Sequence, residues 1–258
     1  MKHLDWILPL TLGIIGIILW YTLLALEVIS PFVAPPPHVI LQELWLKREE
    51  LMVGGGRTFQ AAIIGFLAAV TGGFVIAFIL ASNRYIKAAI YPHILILQMT
   101  PIVVMTPIMG LWLGYGLNSI TAITFLISFF PVVANTTLGL ISTDKGMIDL
   151  FKMGGATKVQ EITLLRIPYA LPYFLTGVKI AGTLAPIGAI TGDFLLGNSA
   201  KAGLGFLVLT YRARSETPAI FALALLACLL GFVFVAAVNT LHYYLLKNWH
   251  ESTAKPES

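Results

Sequence analysis

Charged residues divide this chain into long uncharged stretches. No Asp, Glu, Lys or Arg occurs at positions 6–26, 58–83, 88–143 or 217–246. A span of the hydrocarbon core needs about 20 apolar residues in helical form. The interval 88–143 is too long for one span and fits two plus a turn, which Gly114-Tyr115-Gly116-Leu117-Asn118-Ser119 supplies. A further stretch, 172–196, is apolar apart from Lys179 and Asp193. The pattern therefore predicts about six transmembrane helices, at 6–29, 58–82, 88–112, 118–142, 172–196 and 218–245. The runs are too long for barrel strands, and helices satisfy their own backbone in lipid.

Composition agrees with that reading. Charged residues make up 11% of the 258 positions and hydrophobic residues 58%. Soluble domains carry roughly 25% charged residues, which excludes an ordinary globular enzyme. The net charge of +4 is a mild excess scattered over loops, a mark of topology and not of a nucleic-acid partner. Cys228 is the single cysteine, so no disulfide or cysteine-based zinc site can form within one chain.

Lys2 and the apolar run after it have the outline of a signal peptide. Ile7–Leu26 exceeds a typical signal core and Ala25-Leu26-Glu27 is a poor cleavage site, so a retained span over 1–30 is expected. With both termini cytoplasmic, nine Lys and Arg fall on inner segments (Lys2, Arg84, Lys87, Lys145, Lys152, Lys158, Arg166, Lys247, Lys255). Six fall outside (Lys47, Arg48, Arg57, Lys201, Arg212, Arg214), which satisfies the positive-inside rule. Segment 31–57 is then external, with Pro35-Pro36-Pro37 followed by an amphipathic stretch Val39–Leu51 along the interface. The core unit is expected at 58–246, with a cytoplasmic tail at 247–258.

The connection at 143–170 is the longest hydrophilic one between spans. Asp149, Lys152 and Lys158 surround a Gly154-Gly155 break, and Thr157–Leu165 reads as a second short helix. Pro168 and Pro172 are expected to bend the chain back to the membrane. The outcome is a helix–turn–helix under the bilayer, either a docking projection or a plain linker.

The sequence Asp149-Leu150-Phe151, then Gly155, then Leu165-Arg166-Ile167-Pro168 resembles the EAA motif of ABC importer permeases, E-A-A-x3-G-x9-I-x-L-P. Asp149 replaces Glu, Leu150 and Phe151 replace the alanines, and Leu165 and Ile167 exchange the aliphatic types. Other segments resemble the nitrate/sulfonate/taurine/bicarbonate group of these permeases. They include Pro36-Pro37-His38-Val39-Ile40, the run from Pro107-Ile108-Met109-Gly110-Leu111-Trp112 to Gly116, and Phe130-Pro131-Val132-Val133-Ala134-Asn135-Thr136. Gly192-Asp193-Phe194 and Gly203-Leu204-Gly205-Phe206 are similar to its G-E-F and G-L-G-Y pairs.

The resemblance implies an all-α, type I ABC importer permease (MetI-like) fold in the bacterial inner membrane. It also implies the partners: a second permease copy as a homodimer, two ABC ATPase subunits and an extracytoplasmic binding protein. ATP and magnesium would sit on the ATPase, with no cofactor on this chain. Consistently, no G-x4-G-K-[ST] phosphate loop occurs in the sequence. In the family this loop carries the coupling helix, so Asp149, Gly155, Ala156, Thr157, Lys158 and Pro168 become the ATPase-coupling residues. Gly155 would allow the sharp turn, and Ala156 and Thr157 the close contact.

Within the membrane, Pro101 and Pro107 are expected to break the third helix and Pro186 the fifth. Either those kinks serve packing or they flank the translocation path, where Gln98, Thr100 and Thr106 would offer hydrogen bonds. Asp193 is either a gate carboxylate or a water-facing helix cap. Lys179 either snorkels to the inner interface or serves the pore or loop. Gly188 and Gly192 are spaced for close helix contact. His93 and His242 lie near helix ends with no carboxylate cluster to hold a metal.

A secondary transporter would need inverted repeats and paired midplane acids, and a membrane enzyme would need clustered catalytic groups. Neither is present in the sequence. Ala185–Phe194 and Lys247-Asn248-Trp249-His250 resemble the hydroxymethylpyrimidine/riboflavin branch. That resemblance implies a vitamin-precursor-like ring compound, with nitrate, sulfonate, taurine or bicarbonate as the alternative.

Overall fold

In a computed structural model, residues 4–246 are described; the 247–258 tail and its Lys247-Asn248-Trp249-His250 segment lie outside them. The described chain is all helical. Spanning lengths are reached by α1 (Leu4–Ala25), α3 (Arg48–Ser82), α6 (Leu117–Ile141), α9 (Ile167–Leu196) and α11 (Thr217–Leu246). A bent pair, α4 (Arg84–Met99) and α5 (Ile102–Leu113), is long and apolar enough only when its two helices are taken together, as one broken span or a re-entrant loop. Short elements complete the fold: α2 (Pro37–Leu46), α7 (Lys145–Met153), α8 (Lys158–Gln160) and α10 (Leu204–Ala213).

The heart is a three-helix packing of α3, α6 and α9, with α11 laid against it. Ala61, Ala62, Phe66, Ile123, Val132, Ala181, Ala185 and Ala189 fill the seam. Lipid offers no hydrophobic drive for helix association, so close packing through small residues takes its place. At Gly188, an added Cβ would come within 3.0 Å of the Thr124 Cα, and at Gly192 within 3.3 Å of the Ile120 Cα. The spacing read from the sequence therefore brings α9 onto α6. Outside this bundle, α1 lies on the periphery, its side chains Ile7–Leu19 exposed to the surround. Near its end, Tyr21 hydrogen-bonds His38 at 3.0 Å.

Several boundaries differ from the sequence reading, each for a local reason. The amphipathic stretch expected at Val39–Leu51 is two elements: α2 ends at Leu46, and α3 starts at Arg48, ten residues before the expected 58. Glu49 and Glu50 fall in the first turn of α3, where carboxylates oppose the helix dipole. Lys47 at the joint pairs with Glu216, and its ammonium lies 4.6 Å from the Tyr211 ring centre. Tyr211 in turn donates to Glu50 at 2.9 Å. This charged cluster ties α2, α3, α10 and the start of α11 together.

The expected bend at Pro168 and Pro172 does not occur. Both sit within a continuous helical rod from Lys158 to Leu196. A π-turn at Glu161–Arg166, closed by the Ile167 N–H on the Ile162 carbonyl, lies one residue before Pro168. Pro186 also leaves α9 unbroken. Of the prolines expected to break helices, Pro101 alone does: α4 and α5 meet at 100° across Thr100-Pro101. Thr100 is extended (φ −69°, ψ 123°), the conformation that a following proline favours. Pro107 stays inside α5 because the Thr106 hydroxyl donates to the Val103 carbonyl at 2.8 Å. That carbonyl is the one Pro107, lacking an N–H, leaves without its helical partner.

Candidate functional site: a polar helix–turn–helix and a cavity at a broken helix

The first candidate region is the turn at one end of the bundle. Asp144 caps α7 by accepting from the Met147 N–H at 3.1 Å. The helix ends at Gly154, and Gly155 takes φ +74°, a left-handed conformation that glycine adopts without strain. Ala156 N–H returns to the Phe151 carbonyl at 3.0 Å. Thr157 then opens the next helix with a capping box: its backbone N–H donates to Gln160 Oε1 at 2.8 Å while Gln160 N–H donates to its hydroxyl. Asp149 and Lys152 are exposed and 3.8 Å apart, and Lys158 is exposed in the first turn of α8.

Met147, Leu150 and Met153 recur every third residue along one side of α7, and Met153 is 86% exposed. These side chains sit at the polar end of the bundle beside Lys145, Lys152 and Lys158. An apolar stripe bordered by charges is a surface suited to a protein partner.

The second candidate region is a cavity of about 280 Å³ beside the α4–α5 bend, between α6 and α9. Gln98, Thr100, Met105, Phe130, Pro131 and Leu184 are among its lining residues, and no charged side chain is. The Thr100 hydroxyl turns back to the Ile96 carbonyl at 3.0 Å. Gln98 is exposed and borders the cavity. The cavity lies about midway along α6 and within the second half of α9. Non-helical backbone at membrane depth is tolerated where it borders a cavity, and Thr100-Pro101 meets that condition.

The remaining sequence candidates are elsewhere. Thr106 is buried and occupied by Val103, Pro107 is exposed on α5, and Pro186 is buried in the α9 seam. Lys179 is exposed on α9 and does not line the cavity. Asp193 is 2% exposed and borders a second cavity, of about 290 Å³, together with Arg57, Thr58, Gln60 and Lys201. Its carboxylate accepts from Phe206 N–H at 2.8 Å and Gly203 N–H at 3.3 Å. It therefore caps α10, where the helix dipole favours a negative charge. Thr58 completes the arrangement by accepting from Leu204 N–H at 2.9 Å.

Two features escaped the sequence reading. The helix α10 is short, and its tether to Asp193 depends on tertiary contact. The ion pair of Glu161 and Arg166, with Nε to Oε1 at 2.8 Å and Nη2 to Oε1 at 2.6 Å, joins residues five apart. That spacing does not meet on an α-helix, and only the π-turn allows it.

Comparison with known proteins gives a consistent picture. Residues 61–250 match the family described as binding-protein-dependent transport system inner membrane component. The chain is 33% identical to the formylaminopyrimidine transport permease protein ThiX of Halalkalibacterium halodurans, over 84% of this chain and 86% of that one. It is 32% identical to the riboflavin transport system permease protein RibX of Chloroflexus aurantiacus, over 95% and 90%. Among solved structures, an inward-facing MetNI methionine ABC transporter superposes with a TM-score of 0.57 at 18% identity, over 74% of this chain and 95% of that one.

Proposed function

Because the chain belongs to the binding-protein-dependent transport system inner membrane component family, and is thus a multi-pass ABC permease and not itself an enzyme, we propose that it carries an uncharged, ring-containing vitamin precursor across the inner membrane. The charge-free lining of the cavity beside Thr100-Pro101 carries this reading. A small anion such as nitrate or bicarbonate, or the sulfonate end of zwitterionic taurine, would lose its hydration there with no cation to replace it. A planar, hydrogen-bonding ring meets Phe130, Met105 and Pro131 on its faces, with Gln98 and Thr100 at its edge. The names of the two relatives, formylaminopyrimidine and riboflavin permeases, support the same class.

Such a transporter works with an ATPase and a binding protein. In this reading α7 and the Gly155 turn enter a cleft of the ATPase, the permease pairs with a second copy, and both termini face the cytoplasm. ATP and magnesium bind the ATPase, and this chain holds neither. ATP-driven approach of the two ATPases draws the two loops together and exchanges inward- for outward-facing states. The ligand shifts that balance only through its different affinity for each.

The test is uptake of radiolabelled formylaminopyrimidine, riboflavin and taurine by cells with and without the transporter genes. Uptake of one of the ring compounds, reduced about tenfold by Gln98→Leu or Leu184→Trp at unchanged yield, is expected. Saturable uptake of taurine alone would overturn the substrate class while leaving the permease assignment standing.

A further inference from the structure

The Glu161–Arg166 pair stands where the polar turn becomes the membrane helix. In an α-helix, residues five apart point about 140° away from each other around the axis. Here Ile167 N–H bonds the Ile162 carbonyl, an i→i+5 bond that widens the turn and brings both side chains to one side. Glu161 is 11% and Arg166 27% exposed at the side chain, so the pair is partly shielded from water and held by two nitrogen donors. A cavity of about 60 Å³ adjoins it, bordered by Phe78, Leu140, Lys158 and Ile162. The turn is thus packed loosely on the side facing α3 and α6.

The pair and the π-turn depend on each other. Return of Glu161–Arg166 to α-helical form would swing the two charges apart. It would also rotate everything before the turn, including Thr157 and α7, by about one residue's angle, 100°, relative to α9. We propose that the Glu161–Arg166 pair is the clasp that fixes the angular register between the ATPase-docking turn and α9. Movement of α7 is then delivered to the pore helix as rigid rotation and not lost in the joint. Arg166 and Glu161 are positioning residues: they touch neither substrate nor nucleotide. Lys158 is the other charged group beside the cavity, and its amine is available to Glu161 if Arg166 is removed.

The proposal rests on α7 being the docking element, and the experiment separates the two. The full complex is reconstituted with a cysteine at Asn118, an exposed residue at the opposite end of the bundle, after Cys228→Ala. Maleimide labelling of that cysteine is compared before and after trapping with ATP and vanadate. Arg166→Gln, Arg166→Lys and Glu161→Gln are each expected to cut the trapping-dependent change in labelling at least threefold. Basal ATP hydrolysis and co-purification of the ATPase are expected to persist. Arg166→Lys keeps the charge but not the two-nitrogen grip, so it reports on geometry even if the neutral variants fold poorly. The exchange Glu161→Arg with Arg166→Glu is expected to restore the change. Full labelling change in Arg166→Lys, or no recovery in the exchange at normal yield, overturns the clasp. Loss of the ATPase from Arg166→Lys also overturns it, since the pair would then belong to docking.

Discussion

The Asp193 carboxylate and the Phe206 N–H are 2.8 Å apart, joining the end of α9 to the first turn of α10. No Cβ fits at Gly203, which would approach Asp193 Oδ2 to 2.6 Å. A carboxylate in this position satisfies two backbone donors, Gly203 N–H and Phe206 N–H, while itself only 2% exposed. Asp193→Ala should therefore lower stability by about 1–3 kcal/mol, the cost of buried donors left without an acceptor. Asp193→Asn should also lose stability, because its oxygen can accept from only one of the two N–H groups while its NH2 group meets the other. Thermal unfolding in detergent measures both. An Asp193→Asn variant as stable as the parent but altered in uptake would return the residue to gating.

Gly155 at φ +74° admits no proline, whose ring holds φ near −65°. Gly155→Pro should abolish the turn and release the ATPase during purification, with the membrane bundle still folded. Gly155→Ala should be milder, at about 1 kcal/mol, from the left-handed backbone alone. Thr157→Arg should also release the ATPase, by placing a bulky charge on the capping box. Retention of the ATPase at normal yield in both Gly155→Pro and Thr157→Arg would refute docking through this turn.

Much of this was legible in the sequence, because membranes simplify the physics. Uncharged length fixes the spans, so 118–142 and 218–245 fall within a residue of α6 and α11. The Gly154-Gly155 break and the Gly188/Gly192 contact were equally legible, since only local stereochemistry and size enter. What could not be read depends on partners distant in sequence. Asp193 looked expensive in a membrane because its donors, Gly203 and Phe206, belong to a helix placed by tertiary packing. The prolines misled in the same way: Pro107 needed knowledge that Thr106 would serve Val103. The π-turn before Pro168 has no residue signature, although the five-residue spacing of Glu161 and Arg166 is a trace of it.

Sidedness is the next testable point. Cysteines at Lys145 and Lys158, both exposed at the polar-turn end, should label only from the cytoplasm after Cys228→Ala. Cysteines at Arg48 and Lys201 at the opposite end should label only from outside. Lys47 is a poorer probe than Arg48, because its pairing with Glu216 anchors α2. Labelling of position 158 by an impermeant external reagent would invert the topology and deny the ATPase its surface.

The final prediction isolates one hydrogen bond in α5. Thr106 donates to Val103 at 2.8 Å, replacing the N–H that Pro107 lacks. Valine has nearly the same shape as threonine but no hydroxyl, so Thr106→Val leaves the Val103 carbonyl unpaired. The cost should be about 0.5–1.5 kcal/mol, toward the low end because hydrogen bonds between membrane side chains average about 0.6 kcal/mol. Pro107→Ala restores the backbone donor, and in that background Thr106→Val should cost close to nothing. The double-mutant cycle, read by unfolding in detergent, should therefore show the two changes coupled by nearly the whole single-mutant effect. Equal losses from Thr106→Val with and without Pro107 would mean that the hydroxyl serves something other than the proline's orphaned carbonyl. The continuity of α5 through Pro107 would then need another cause.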